Sequence, residues 1–274
     1  MSTDNRTDQS IVLKDGRRLG FAEWGNPAGK PSLLFIGGSS RLAYPMVEMP
    51  DVRLITVDRP GLGLSTFQPN RRLLDLPDDI VELLDALNLQ QVAVVGISQG
   101  GPSALACAYK IPQRLIAGSV VSSLAPPRFF ELHPNLSSSV ATFAKWAKNF
   151  PPAFRFQAEL ATWMVRLNPR WTFQQVLKTL PPNDRAVYEA QPELIPMFIS
   201  DLIETYRQGS RGSAQEALLA YSLWGFRLED IRAPVYVWHG ENDSSVPVAM
   251  AHYLAQPYLT AKPPTLPTKG TFWD

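Results

Sequence analysis

The chain has 274 residues, 45% of them hydrophobic, and carries 26 Lys and Arg against 25 Asp and Glu for a formal charge of +1. A chain of that length buries a large core in one domain of generous size, with room for an insertion. The near balance of charge, with no long run of one sign, argues against nucleic acid and acidic membranes as partners.

The polar start "MSTDNRTDQS" lacks the apolar core of a signal peptide, and no apolar segment approaches bilayer length, so a cytoplasmic location is expected. From Ile11 to Gly25, "IVLKDGRRLGFAEWG" reads as two short strands joined at Asp15-Gly16. "PSLLFIGG" is a continuous apolar run closed by glycines, the pattern of a strand covered on both faces, and "VRLITVDRPG" and "VAVVGISQGG" repeat it. Between them "RRLLDLPDDIVELLDALNL" spaces Ile80, Leu83, Leu84 and Leu87 at helical intervals, with Asp78 and Asp79 favouring its first turn. "GPSALACAYK" is helix-like and holds the one cysteine; Cys107 reads as core, excludes an intrachain disulfide and suits a reducing compartment. "RLIAGSVVSS" and, much later, "APVYVWHG" read as further strands. Strands alternating with helices predict a mainly parallel sheet with helices on its faces.

The rhythm breaks between about Leu124 and Gly225, where helical segments carry Phe143, Trp146, Phe150, Trp163 and Trp171 between Pro151-Pro152 and Pro181-Pro182. These aromatics are expected either to pack the insertion's own core or to line an apolar cavity beneath a cap. The predicted division is a core of residues 1–123 and 226–274 with a helical cap at 124–225.

Chemistry enters at Gly96-Ile97-Ser98-Gln99-Gly100, a G-x-S-x-G pattern directly after an apolar strand and before a helix. A serine on so sharp a turn is forced into strained backbone geometry, and small residues two positions away let neighbouring backbone pass close by. The helix N-terminus aims free N–H groups at the same point, where an oxyanion would be stabilised. Ser98 is therefore a candidate nucleophile, and the N–H of Gln99 a candidate oxyanion donor. No clustered His and Cys ligands, phosphate-binding glycine loop or dinucleotide fingerprint occurs, so no metal or organic cofactor is expected.

With "FIGGSS", "VDRPGLGLS", "GISQGG" and "IRAPVYVWHGENDSSVP" in this order, the chain resembles the α/β-hydrolase superfamily over nearly all its length. The resemblance is in particular to the branch with proline iminopeptidase-like and related small-molecule hydrolases. The resemblance implies an α/β-hydrolase fold, a mainly parallel sheet flanked by helices with an inserted helical cap. It places the second oxyanion donor at Gly38 and the triad carboxylate at Asp243, which by its residues alone reads equally as a turn-capping aspartate. Two positions depart from the family. Ile36 stands where the loop histidine is expected, and Thr271, in Gly270-Thr271-Phe272, where the catalytic base is expected; threonine cannot act as a general base near neutrality. Three residues follow Thr271, where the family continues through a terminal helix. Of the three histidines, His239 belongs to a strand-end "WHG" used without catalysis in the family, His252 falls on the helix-like "PVAMAHYLAQ", and His133 lies in the insertion. Asp58 and Arg59 are expected as a structural ion pair beside the oxyanion loop.

The sequence reading is thus a serine hydrolase for a small apolar ester, amide or lactone, impaired or atypical because the triad histidine is missing. The rivals are a non-hydrolytic enzyme on the same scaffold (a cyclase, lyase or decarboxylase) and a catalytically silent ligand-binding receptor. The expected partner is a small apolar molecule, with no nucleic acid and no membrane.

Overall fold

The computed structural model describes residues 6–39, 41, 49–136, 138–180, 182–243 and 245–256. The antiparallel hairpin expected near the start is β1 (Arg6–Val12) and β2 (Arg18–Gly25), with Val12 paired to Arg18 and Gly16 at φ +85° in the turn. β1 begins five residues earlier than the apolar pattern indicated, because its first half is a polar, partly exposed edge. Then follow β3 (Lys30–Phe35), β4 (Val52–Val57), α1 (Leu76–Ala86), β5 (Val92–Ile97), α2 (Gly101–Lys110) and β6 (Leu115–Val121).

Seven helices come next: α3 (Pro127–Leu132), α4 (Ser139–Asn149), α5 (Pro151–Leu167), α6 (Pro169–Thr179), α7 (Pro182–Ala190), α8 (Leu194–Thr205) and α9 (Ser210–Tyr221). Four of them, α3, α5, α6 and α7, start on a proline, whose fixed φ suits a first turn and whose missing N–H costs nothing there. β7 (Val235–Trp238) and α10 (Val248–Ala255) return to the sheet.

The seven strands lie in the order β1-β2-β4-β3-β5-β6-β7. β2 pairs antiparallel with β1 and β4, and every contact from β4 to β7 is parallel. A parallel sheet buried on both faces explains the unbroken apolar runs noted above. Leu33, Ile55, Val92 and Val94 are inaccessible to solvent, and α2 is buried from Gly101 to Ala108. Cys107 is fully buried in this core, as its setting indicated, and burial pushes its thiol far above the ordinary range. Among the described residues, no helix is long and apolar enough to cross a membrane.

Candidate active site

β3, β5, β6 and β7 end side by side, and their parallel register puts Ile97, Val121 and Trp238 at one level. The chain just beyond those ends carries every described site residue that the sequence singled out.

Ser98 follows the last residue of β5 and has φ +52°. This is the left-handed region, costly for a residue with a Cβ. The glycines around it make the turn possible. A Cβ on Gly96 would stand 2.7 Å from the Gly100 carbonyl oxygen and the Gly101 Cα, and one on Gly100 would run into the Phe35 carbonyl at the end of β3. The backbone of the turn thus packs against the end of β3.

Beyond β3, Gly37 and Gly38 line a cavity of about 450 Å³ together with Gln99. Gly38 has φ +85°, and its carbonyl accepts from Arg59 Nη2 at 3.1 Å, while the following amide of Ser39 donates to Thr205 Oγ1 at 2.9 Å. The two oxyanion candidates therefore border one space. Its walls are Phe143, Phe154, Phe173 and Phe198 of the inserted helices, and Asp201, Glu216 and Arg59 supply charge. Tyr188 and Tyr206 line it too; burial raises both phenols, Tyr188 to about 12, so each keeps its proton near neutrality. A larger groove of about 890 Å³ lies against α5 and α9; neither Ser98 nor Asp243 is among the lining residues of either space, so the cavity is bordered by the two oxyanion candidates and not by the candidate nucleophile or acid.

Asp243 lies beyond β7, two strands across from Ser98, on the same edge of the sheet. Its Oδ1 accepts from the amides of Ser245 at 2.9 Å and Val246 at 2.8 Å, so the turn-capping role is real. Its Oδ2 stands 3.7 Å from His239 Nε2, beyond hydrogen-bond range, and that nitrogen bonds the Val246 carbonyl at 2.7 Å instead. The imidazole of His239 is buried. His133 and His252 are exposed, with the His133 ring stacked on Phe129. None of the three lines the cavity. Thr271 and Gly270 lie outside the described residues.

The expected Asp58–Arg59 ion pair is corrected. Asp58 is fully buried and bonds Arg41 Nε at 3.0 Å, Ser39 Oγ at 2.5 Å and the Leu64 amide at 2.9 Å. Burial raises its carboxyl despite these partners. Arg59 pairs instead with Glu216 at 2.7 Å, and Glu216 also takes Arg71. Both residues follow the end of β4, yet their side chains engage different partners. Both remain supports for the Gly38 loop, one through Ser39 and the other through the Gly38 carbonyl.

The aromatic expectation is corrected as well. Phe143 lines the cavity, but Trp146, Phe150, Trp163 and Trp171 are exposed, neither core nor cavity wall. Residue-by-residue reading also missed Asp184 of α7. Burial and the nearby Asp243 carboxylate raise its pKa, and nothing in the sequence signals an approach across 59 positions.

Residues 25–259 match the family model described as alpha/beta hydrolase fold. A putative carbamate hydrolase, RutD, of a Caulobacter species is 28% identical over 233 residues, 81% of this chain and 75% of that protein. A 3-oxoadipate enol-lactonase of Acinetobacter baylyi is 31% identical over 100 residues, 35% of this chain and 37% of the relative. Among solved structures, a hydrolase of Pseudomonas aeruginosa superposes with a TM-score of 0.64 at 20% identity, covering 94% of this chain and 88% of its own. The enol-lactonase of Burkholderia xenovorans gives 0.61 at 17%, covering 91% and 87%. At these identities the structural likeness speaks for the fold alone.

Proposed function

Because the chain belongs to the alpha/beta hydrolase fold family, we propose that it is a serine hydrolase-type protein for a small, largely apolar ester, amide or lactone, with the inserted helices as its cap and its catalytic triad incomplete. The observation that carries this reading is the positive φ of Ser98 on a strand-to-helix turn, flanked by glycines that tolerate no Cβ and followed by Gln99 at the wall of an aromatic cavity. Backbone strain of this kind persists only where the surroundings enforce it, and it concentrates at functional sites.

In this mechanism the Ser98 Oγ attacks the substrate carbonyl carbon, and the amides of Gln99 and Gly38 donate to the oxygen that gains charge. Asp243 is the carboxylate placed to orient a base. With threonine at 271, Ser98 keeps its proton near neutrality and the acid has no imidazole to orient, so turnover falls toward what binding and the oxyanion donors supply alone. Phe143, Phe154, Phe173 and Phe198 favour an apolar acyl or alcohol part. The names of the relatives, a carbamate hydrolase and an enol-lactonase, belong to the same class of carbonyl chemistry.

The test is kcat/KM for one activated ester with the present chain, with Thr271→His, and with Ser98→Ala in each background. Slow turnover, raised by orders of magnitude by Thr271→His and abolished by Ser98→Ala, is expected. Brisk turnover that is lost with His133 or His252 would identify a recruited base and refute the gap. If Thr271→His gains nothing while its circular dichroism matches the parent's, a non-hydrolytic or ligand-binding role replaces this reading.

A further inference from the structure

Helix α5 is apolar on two opposite sides. Phe154 and Val165 are buried and Ala158 and Ala161 line the cavity, whereas Phe156, Leu160, Trp163 and Leu167 are 72%, 53%, 63% and 73% exposed. At about 100° per residue, those four fall within about 60° of one another, opposite the inward set. Single exposed apolar residues need no explanation, but a contiguous stripe does. Trp146 on α4 and Trp171 at the start of α6 are also exposed.

Charge on the same helices is one-sided. Residues 139–179 hold six basic side chains, Lys145, Lys148, Arg155, Arg166, Arg170 and Lys178, and one acid, Glu159. All six are exposed, and Glu159 is engaged by the Ser210 hydroxyl. Lys148 reaches Glu131 at 3.4 Å, while Arg155, Arg166 and Arg170 carry no ion pair among the described residues. Arg155 and Arg166 lie along one flank of the stripe. The overall charge of +1 conceals this local excess of five positive charges.

We propose that the outer face of α4–α6 docks on an anionic membrane surface, with α5 in the plane of the interface and Phe156, Leu160, Trp163 and Leu167 at the boundary of headgroups and acyl chains. An amphipathic helix with Trp, Phe and Leu on one face and Lys and Arg beside it binds such surfaces through buried apolar area and attraction to anionic lipid together. Pairing the stripe with a second copy would bring two sets of unpaired arginines together, a like-charge cost that an anionic surface turns into attraction. The inward face of α5 borders the cavity, so docking sets the candidate site one helix diameter, about 10 Å, from the interface. The proposal does not depend on catalysis.

The test is cosedimentation of the full chain with vesicles. With phosphatidylcholine containing about 30% phosphatidylglycerol at low salt the chain pellets; binding to pure phosphatidylcholine is at least about tenfold weaker, and salt releases it. Trp163→Glu with Leu167→Glu, and separately Arg166→Glu with Arg170→Glu, each lower binding to the anionic vesicles by about tenfold or more. All four positions are exposed, so the variants keep the parent's circular dichroism. Val12→Glu, an equally exposed apolar position on β1, leaves binding unchanged. The proposal is overturned if the chain stays in the supernatant, if neutral and anionic vesicles bind alike, or if the stripe variants pellet like the parent. It is equally overturned if the chain elutes as a dimer that the Trp163→Glu, Leu167→Glu pair converts to monomer.

Discussion

Glu216→Gln is the most severe isosteric change the structure identifies. One carboxylate serves two guanidinium groups: Arg59 Nε stands 2.7 Å from its Oε2, and Arg71 bonds its Oε1. The side chains of Arg59, Arg71 and Glu216 are 1%, 0% and 6% exposed. The amide keeps the shape and one acceptor but removes the carboxylate that pairs with both buried cations. Breaking a buried pair by removing one partner costs about 3–5 kcal/mol, because the survivor is left uncompensated; burial already disfavours the charged form of Arg59. For a chain of this size the loss corresponds to a fall in Tm of roughly 6–20 °C. Urea unfolding followed by circular dichroism reads it as a lower midpoint at unchanged slope. Arg59 also holds the Gly38 carbonyl, so the cavity wall loosens with the network. A stability change below about 1 kcal/mol would refute the reasoning, since it would mean that water reaches these groups and no buried charge is stranded.

Gly100→Ala drives a Cβ into the Phe35 carbonyl, which is backbone and cannot step aside; a destabilisation of at least about 2 kcal/mol is expected in the same urea assay. Asp184→Asn removes a carboxyl whose pKa is raised in the folded chain by burial and by Asp243. The folded state holds that proton more tightly than the unfolded one, so above the ordinary carboxylate range the parent loses stability that the variant keeps. Denaturation midpoints should diverge in the variant's favour as pH rises from about 4 toward neutrality, and the difference should vanish below that. Equal midpoints across the range would count against an Asp184–Asp243 approach. Cys107, buried and with its thiol pushed up, should resist a disulfide reagent in the native chain and react at once in denaturant.

The sheet was legible in the sequence because its signals are local. Apolar runs closed by glycines marked β3, β4 and β5, Asp15-Gly16 marked the hairpin, and the spacing of Gly96, Ser98 and Gly100 marked the turn whose geometry needs them. Gln99, proposed from its adjacency to Ser98, and Gly38, proposed from the family resemblance, border one cavity. What the tertiary structure alone decided are pairings across long stretches of chain. Arg59 reads as a partner of Asp58, yet its partner Glu216 arrives from a helix 157 positions later. Asp184 feels the Asp243 carboxylate from 59 positions away, an influence that no local pattern signals. The exposed tryptophans look like core when counted by composition, since hydrophobicity says that a residue prefers burial and not whether a neighbour exists to bury it. Only the packing of α5 against α9 and the cavity settled which of its apolar faces was covered, and so left the stripe from Phe156 to Leu167 facing outward.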